Sequence, residues 1–312
     1  MDVSIIIVTR NTCALTREAI QSVRSGPPGP ATEIVVVDNG STDESPQRLP
    51  AEFPALRWLR SERNLGFARA VNLAAREARG DFLLLLNSDA RLTPEALDTT
   101  LAWMRAHPDC AVAGAQLLNP DGSRQNSIAN FPTLATELLN KSLLRRLWPA
   151  RFPGKEQHFL EPLEVETVVG AFMLIRRSVW DQLGGLDERF FFFLEETDFC
   201  WRAHRRGFRV VHLPGVRVLH GQGRTAKTVS AGARIEYWRS RYAYFAKHHG
   251  RLARAVLRVG LALRLGADWI GAGAVRLLTL GGSARWRERW QVRTALLVWH
   301  LRGCPADAGL PR

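Results

Sequence analysis

The chain has 312 residues, of which 46% are hydrophobic, 9% aromatic and 23% charged. This composition is typical of a globular protein with one large or two ordinary domains, and it excludes a disordered or fibrous chain. The four cysteines are scattered and form no C-x-x-C pair, so the sequence predicts neither a disulfide scaffold nor a zinc knuckle.

The net charge of +13 is confined to the last third of the chain. Residues 1–220 hold 26 Lys and Arg against 26 Asp and Glu, whereas residues 221–312 hold 17 against 4. A neutral body that carries a basic segment indicates an anionic partner for that segment, either a membrane surface or a nucleic acid.

The basic segment also has the spacing of amphipathic helices. Arg254, Arg258 and Arg264 recur at roughly helical intervals between aliphatic residues. Such helices can lie at an anionic membrane, with tryptophans at the interface; the candidates are Trp269, Trp286, Trp290 and Trp299. The alternative is a pair of helices packed on the body with solvated arginines. Nucleic acid is the least favoured partner, because these aromatics are spaced for helix faces.

No targeting signal is predicted. The first residues lack a basic region before the apolar run. Charges also interrupt every longer apolar segment before the roughly 18 residues that a spanning helix needs. The expected location is the cytoplasm, at the inner face of the cell membrane if the basic segment binds lipid.

Strand-like and helix-like segments alternate over the first 115 residues, which predicts an α/β fold with a mainly parallel sheet. The predicted order is strand 4–9, helix 16–24, strand 33–37, strand 56–59, helix 67–79, strand 81–86 and a helix that opens at Thr93. Loops and short helices are expected over 119–166. The later elements are a strand-like segment 165–176, a helix 197–206, and strands 207–212 and 216–220 with a turn between them.

Polar residues cluster after the carboxyl ends of three predicted strands, the edge at which open α/β sheets bind ligands. They are Thr9 and Asn11 after the first strand, Asp38 and Asn39 after the second, and Asn87, Ser88 and Asp89 after the fourth. A single cluster is usually an ordinary turn, but three at one edge predict a binding site.

Three carboxylates, those of Glu195, Glu196 and Asp198, stand beside a block of aromatic residues. Desolvation and mutual repulsion would raise the pKa of at least one of them towards that of a working base. The alternative is an acidic first turn of a helix, which the helix dipole stabilises. Farther along, His220 ends a predicted strand and is a candidate to join Asp89 as a neutral metal ligand.

Taken together, these motifs resemble those of family 2 glycosyltransferases, within which the chain is most similar to the rhamnosyltransferase and galactofuranosyltransferase-like group. The matching motifs begin with the first strand, which ends T-x-N, and continue with V-V-V-D-N-G-S-T-D at 35–43 and N-L-G-F-A at 64–68. L-L-L-N-x-D at 84–89, F-F-L-E-E-x-D at 192–198 and His220 complete the set. The resemblance covers residues 3–225, about 70% of the chain.

The resemblance implies a GT-A fold, which is a Rossmann-like mixed sheet flanked by helices, and inverting transfer of a sugar from a nucleotide-diphosphate donor. The group points to dTDP-rhamnose before a UDP-sugar as the donor, and to a hydroxyl of a glycan or lipid-linked acceptor. The GT-A domain would cover 1–225, with a nucleotide-binding half at 1–115 and an acceptor half at 116–225. Residues 226–312 would form a basic amphipathic helical tail.

The resemblance also implies roles for individual residues. Those matching nucleoside-binding positions are Thr9, Asn11, Asp38 and Asn39, and those matching the segment that closes on base and ribose are Asn64, Gly66 and Asn72. Asn87, Ser88 and Asp89 match the D-x-D motif, in which the last Asp binds Mn²⁺ or Mg²⁺ with the donor diphosphate. His220 matches a further metal ligand, and Glu196 matches the catalytic base.

Two positions depart from the family pattern. Asn87 replaces the first Asp of D-x-D, which removes one negative charge from the metal site. Glu196 stands where the family more often has Asp, which moves the carboxylate by one methylene.

Two other functions fit parts of the pattern. A sugar-nucleotide nucleotidyltransferase could share the nucleotide site, but it would usually have a Gly- and Lys-rich phosphate loop after the first strand, and residues 10–14 do not form one. A non-enzymatic adaptor that binds membrane or nucleic acid would explain the basic segment but would leave Asp89, Glu195, Glu196 and Asp198 without a task.

Overall fold

A computed structural model of the protein describes residues 1–25, 29–149, 151–152, 159–221, 231–279 and 283–312. The predicted domain boundary at 225 lies outside these residues and stays a prediction.

The first part of the chain alternates strands and helices. In order these elements are β1 (Val3–Thr9), α1 (Cys13–Arg24), β2 (Thr32–Asn39), α2 (Ser45–Glu52), β3 (Arg57–Ser61), α3 (Phe67–Glu77), β4 (Phe82–Asn87), β5 (Ala90–Leu92), α4 (Ala96–Ala106) and β6 (Cys110–Leu118).

The second part is less regular and ends in long helices. Its elements are β7 (Ile128–Ala129), α5 (Leu134–Leu138), α6 (Lys141–Leu147), β8 (Leu163–Glu164), β9 (Thr167–Val168), β10 (Phe172–Arg176), α7 (Arg177–Leu183), α8 (Glu195–Arg205), β11 (Arg209–His220), α9 (Ala231–His248), α10 (Gly250–Leu278) and α11 (Ala284–Leu301).

The central sheet has the strand order β3-β2-β1-β4-β10-β6-β11-β5, with β8 paired to β11. β1 runs parallel to β2 and β4, and β2 runs parallel to β3, whereas β10 is antiparallel to both of its neighbours. The register aligns Val8 with Asn87 and Thr9 with Asp38. The predicted mainly parallel α/β fold is therefore confirmed, and the three polar clusters meet at one edge.

Apolar side chains cover both faces of this sheet, because β1, β2 and β4 are buried almost throughout. Alternate residues of each strand contribute to two separate clusters, one on each face, as Ile5 and Ile6 do. α3 packs closely on the second face through small residues such as Ala70 and Ala74, which are fully buried. The helices thus fix the strand ends that form the ligand edge.

Several element boundaries differ from the predictions: the segment predicted as a strand over 165–176 is two strands, β9 and β10, and α1 and α8 begin two or three residues earlier than predicted. The helix predicted to open at Thr93 begins at Ala96, because residues 93–95 form a turn in which Ala96 N donates to Thr93 O. The two strands predicted on either side of a turn at 213–215 are one strand, β11. Its register against β6 shifts between Leu213 and Arg217, so an irregularity absorbs Pro214 and Gly215 without ending the strand.

The basic segment packs on the body, as the alternative prediction held. Tyr244 and Phe245 of α9 are fully buried, in a third cluster with Phe190 and with residues of α10 and α11. Trp299, expected at a membrane interface, is instead buried in this cluster, because its side of α11 faces α9. None of the helices in the described ranges is long and apolar enough to cross a membrane.

Candidate active site

The ends of β1 and β2 are tied together by Asn11. Its backbone has φ of +55°, a left-handed conformation that Asn tolerates better than most residues. Its side-chain oxygen accepts from Thr42 N at 2.7 Å, and its own N–H donates to Ser41 Oγ at 3.0 Å. Asn11 therefore shapes the rim of the predicted donor site.

Thr9 lies beneath that rim and is fully buried. Its hydroxyl lies 2.7 Å from Thr16 Oγ1 and 3.1 Å from Thr12 Oγ1, and Thr12 in turn donates to Ser88 Oγ at 3.2 Å. This hydroxyl cluster joins β1, α1 and the turn after β4. The contacts give Thr9 a supporting position, and a direct bond from it to the donor stays a prediction.

Among the predicted nucleoside-binding residues, Asp38 has a carboxylate oxygen without a hydrogen-bond partner in the described ranges. Its Oδ1 accepts from Ser41 N at 3.0 Å, while Oδ2 is buried and has no hydrogen-bond partner within the described ranges. A buried acceptor without a donor costs about 1–3 kcal/mol, which a ligand N–H or hydroxyl would recover. Asp38 is thus suited to hold a base or ribose.

Asn39 holds the 64–66 segment against the end of β2. Its amide nitrogen donates to Asn64 Oδ1 at 3.0 Å, and its oxygen accepts from Leu65 N at 2.8 Å. Gly66 has φ of +83°, and a Cβ there would lie 2.5 Å from the carbonyl oxygen of Phe191. The segment therefore needs glycine, and it touches the loop that leads into α8.

The C-terminal residues complete this corner, which the sequence motifs did not indicate. Asn64 Nδ2 donates to the carbonyl of Pro311 at 2.7 Å, and the Arg312 guanidinium lies 4.9 Å from the centre of the Phe191 ring. Residues separated by more than two hundred positions meet here, so no local pattern could have found the contact.

Asn72, predicted to act with Asn64 and Gly66, makes its side-chain hydrogen bonds to the 185–188 loop. Its amide nitrogen donates to Leu186 O at 2.8 Å and to Glu188 Oε1 at 3.2 Å, and its oxygen accepts from Leu186 N at 2.9 Å. The side chain thus ties α3 to the 185–188 loop. A direct contact between Asn72 and the donor stays a prediction.

The predicted metal residues come together across the β5–β11 pairing. Asn87, Ser88 and Asp89 follow β4, and Asp89 Oδ1 lies 3.4 Å from Nε2 of His220 at the end of β11. Within the described ranges no third His, Cys, Asp or Glu joins them in a metal-binding group. Of the predicted metal ligands, the described part of the chain therefore brings together Asp89 and His220.

Gln125 fixes the orientation of the His220 ring, which the sequence did not reveal. Its amide nitrogen donates to His220 O at 2.7 Å, so its oxygen is the atom 2.9 Å from His220 Nδ1. That oxygen only accepts, so Nδ1 carries a hydrogen and Nε2 turns towards Asp89. A lone pair on Nε2 would repel the carboxylate, so the two atoms are suited to hold a proton or a metal cation between them.

The acidic segment forms the first turn of α8, which begins at Glu195. Phe193 and Leu194 precede it with φ of +74° and +68°, an uncommon conformation for bulky residues and one concentrated at functional sites. The chain thus turns sharply and presents Glu195 and Glu196 at a helix N-terminus. Both predictions for the segment, clustered carboxylates and an acidic helix start, hold together.

Glu195 and Glu196 differ in their access to solvent. Glu195 is buried, whereas Glu196 is partly exposed as a residue, and its Cβ and Cγ lie next to Gly170. Burial raises the pKa of Glu196, and burial followed by the charge of Glu196 raises the pKa of Glu195 well above its ordinary value. Glu196 Oε2 is buried and has no hydrogen-bond partner within the described ranges, so this carboxylate has both a raised pKa and an oxygen that a ligand hydroxyl could contact.

A family model described as glycosyl transferase family 2 matches residues 4–184, which is more than half of the chain. The chain belongs to this family. Among family 2 relatives, the N-acetylglucosaminyl-diphospho-decaprenol L-rhamnosyltransferase of Mycobacterium tuberculosis is 32% identical over 251 residues, which are 74% of this chain and 81% of the relative. The rhamnosyltransferase WbbL of Escherichia coli is 24% identical, over 58% of this chain and 70% of its own length.

These findings confirm an enzyme, a glycosyltransferase of the rhamnosyltransferase-like group within family 2. Solved structures confirm the GT-A fold. The Pyrobaculum calidifontis mannosyltransferase in complex with GDP-Man and Mn²⁺ has a TM-score of 0.54 at 18% identity, over 96% of this chain and 86% of that one. Staphylococcus aureus TarS 1–349 in complex with UDP also has a TM-score of 0.54 at 18% identity, over 97% and 92%.

In this family 2 glycosyltransferase, Asp198 has a structural task. It is fully buried and bonded to Arg202 at 2.8 Å, Lys247 at 2.6 Å and His248 at 2.7 Å. Burial alone would raise the pKa of Asp198, but the hydrogen bond from His248 and the charges of Arg202 and Lys247 outweigh it and lower the pKa. Asp198 thus fastens α9 to α8.

Proposed function

We propose that the protein is an inverting transferase that moves rhamnose from dTDP-rhamnose, or a hexose from a UDP-sugar, to a hydroxyl of a glycan or lipid-linked acceptor. The observation that carries the proposal is the placement of Glu196 at the first turn of α8: the residue is partly exposed, its pKa is raised, and its buried Oε2 has no hydrogen-bond partner within the described ranges. The Mycobacterium tuberculosis relative, whose name specifies a sugar-diphospho-decaprenol acceptor and rhamnose, supports the choice of substrates.

In the proposed reaction Glu196 accepts the proton of the acceptor hydroxyl while that oxygen attacks the anomeric carbon. The C–O bond to the departing diphosphate breaks on the opposite face of the sugar, so the anomeric configuration inverts. A carboxylate base is needed because a neutral alcohol is a poor nucleophile. Glu195 is less suited to this role, because it is buried.

Asp89 and His220 would hold Mn²⁺ or Mg²⁺, with Gln125 as the partner that orients the imidazole. When bound, such a cation would neutralise negative charge on the donor diphosphate. Asn87 contributes no charge, so the two ligands and the diphosphate itself would share the coordination. Asp38 and the 64–66 segment would hold the nucleoside.

We further propose a peripheral contact with anionic membrane through α10. One face of this helix is buried through residues such as Leu257, Leu261 and Leu265. The opposite face carries an exposed apolar stripe at helical spacing, formed by Leu252, Val256, Val259, Leu263, Ile270 and Leu277. Arginines flank the stripe, among them the exposed Arg251 and Arg264. A basic helix with a free apolar face fits a membrane interface.

Thermal shift of the purified protein tests donor binding. We expect UDP or dTDP with Mn²⁺ to raise the melting temperature, because a ligand that binds only the folded state stabilises it. Asp89→Ala should remove the metal-dependent part of that shift. No shift with any of UDP, dTDP, GDP and CDP, on folded protein, would contradict the proposal.

Activity measurements test the base. Glu196→Gln keeps the shape of the side chain but removes the base, so kcat should fall by about a hundredfold or more while the nucleotide-induced thermal shift stays. Glu161→Gln, the same change at an exposed glutamate, is the control. Full activity of Glu196→Gln would assign the base to another residue.

A further inference from the structure

A polar cavity lies among the C-terminal helices, outside the residues that the family motifs mark. It has a volume of about 430 Å³, is partly open to solvent and is bordered by α9, α10 and the junction of α5 and α6. Its polar and aromatic lining includes Glu137, Asn140, Tyr237, Trp238, Arg241 and Arg264. None of the predicted donor-binding residues lines it, and neither do Asp89 and His220.

Tyr237 connects this cavity to the catalytic carboxylates. Its ring makes an edge contact with Phe193 at 5.4 Å, in the strained turn that precedes Glu195. Burial raises the pKa of Tyr237, and the negative charges of Glu137 and, more weakly, Glu196 raise it further. Tyr237 is therefore near both the cavity wall and the base.

The inner wall is an ion pair framed by aromatic rings. Glu137 and Arg241 form a salt bridge with side chains only 4% and 9% exposed. The Arg241 guanidinium lies over the rings of Tyr237 at 5.2 Å and Trp238 at 5.7 Å. Its Nε is buried and lacks a hydrogen-bond partner in the part of the chain that the structure describes. A ligand oxygen that accepted from Nε would recover the cost of that donor.

The charges of the wall favour a neutral polyhydroxyl ligand over an anion. Glu137 and Asp268 oppose Arg241 and Arg264, so a phosphate would be attracted and repelled at once. Sugar hydroxyls both donate and accept, and so match a carboxylate beside a guanidinium. Aromatic walls with a few convergent polar groups are also the usual lining of a small-molecule site.

We propose that this cavity is the subsite for the sugar residue of the acceptor, with Glu137, Tyr237 and Arg241 as its polar contacts. The inference rests on the proposed glycosyltransferase function. It places the acceptor sugar between α9 and α10, with Tyr237 linking the cavity through the Phe193 ring to the turn that precedes Glu195 and Glu196.

The test compares two tyrosine variants of α9 in the full chain. Tyr237→Phe removes one hydroxyl at the cavity, and Tyr244→Phe removes a buried hydroxyl that has no hydrogen-bond partner in the described ranges. The probe is a short-chain prenyl-diphospho-N-acetylglucosamine. Tyr237→Phe should raise the acceptor KM about tenfold, because one hydrogen bond of about 1.4 kcal/mol is lost. Donor KM should not change, and Tyr244→Phe should change neither constant.

A second variant guards against a folding defect. Ser142 is exposed and lines the cavity, so Ser142→Trp fills it without disturbing the core. It should suppress transfer to the probe while the Mn²⁺-dependent thermal shift with nucleotide persists. An acceptor KM within twofold of wild type in both variants would overturn the subsite. Absence of the nucleotide shift in the wild type would instead overturn the proposed function, so the two failures are distinguishable.

Discussion

At the scale of the residue, the pair Glu195 and Glu196 shows how one helix turn gives two carboxylates different properties. Both follow left-handed residues and both begin α8, yet only Glu195 is buried. The helix N-terminus favours their ionised forms, but desolvation outweighs it and raises both pKa values. If Glu196 is the base, kcat should therefore fall as pH is lowered, and the apparent pKa of this fall should lie above the ordinary pKa of glutamate.

Glu195 should also make stability depend on pH. Its folded-state pKa is raised, so the folded protein binds the proton more tightly. The contribution of this carboxyl to stability is therefore fully present below its unfolded-state pKa and is lost as pH rises through the folded-state pKa. In Glu195→Gln the free energy of unfolding should fall less as pH rises, and the urea midpoint at pH 8 should be higher than that of the wild type. Equal pH dependence of wild type and Glu195→Gln between pH 5 and 9 would show that Glu195 is ionised without cost.

At the scale of the element, α8 and α9 are held together by the buried charge of Asp198. Asp198→Asn leaves Lys247 and Arg202 partly buried without their full counter-charge, which should destabilise the fold by about 3 kcal/mol. Asp181→Asn is the matched control, since the Arg177–Asp181 pair has the same i,i+4 spacing but Asp181 is 58% exposed. The control should cost at most about 0.5 kcal/mol in urea unfolding.

The low pKa of Asp198 gives that prediction a pH signature. Stability from this carboxylate is present above its unfolded-state pKa and is lost as pH falls through the lower folded-state pKa. The difference in unfolding free energy between wild type and Asp198→Asn should therefore shrink in acid. A difference that did not change with acidification would contradict the role of the charge.

A second element-scale contact links α9 to the C-terminal residues. Gly232 faces Gly309, and a Cβ on Gly232 would lie 2.7 Å from the Gly309 carbonyl oxygen. Gly232→Ala should displace this segment, weaken the bond between Asn64 and Pro311 and raise donor KM several-fold. Gly271→Ala, in α10 with open space around it, should leave donor KM unchanged and gain about 1 kcal/mol of helix stability.

At the scale of the whole molecule, the exposed stripe of α10 should govern binding to lipid. Replacing Leu252 and Leu263 by Ser in the full chain should lower partition onto vesicles with anionic lipid by about tenfold or more, because apolar area no longer leaves water. Leu160→Ser is the control, an equally exposed leucine of the body. Partition equal to that of the control protein would contradict membrane contact through α10.

The sequence by itself determined the fold class, the family and the meeting of three polar clusters. Each of these depends on local signals: continuous apolar strands, helical spacing and short motifs that recur after strand ends. Parallel pairing then brings the ends of β1, β2 and β4 to one edge without further information. The acidic start of α8 was predictable for the same reason, because a helix N-terminus favours carboxylates.

Only the tertiary structure decided which of these polar residues are free to act. Three of them make hydrogen bonds that support the fold: Thr9, Asn39 and Asn72. Basic residues of α9 pair with the charge of Asp198. Gln125 orients the ring of His220. These partners lie up to some hundred residues apart, so no periodicity records them. The basic segment likewise looked like an appendage by charge alone, but its buried aromatics form a hydrophobic cluster with the body, and its helices α9 and α10 line the polar cavity.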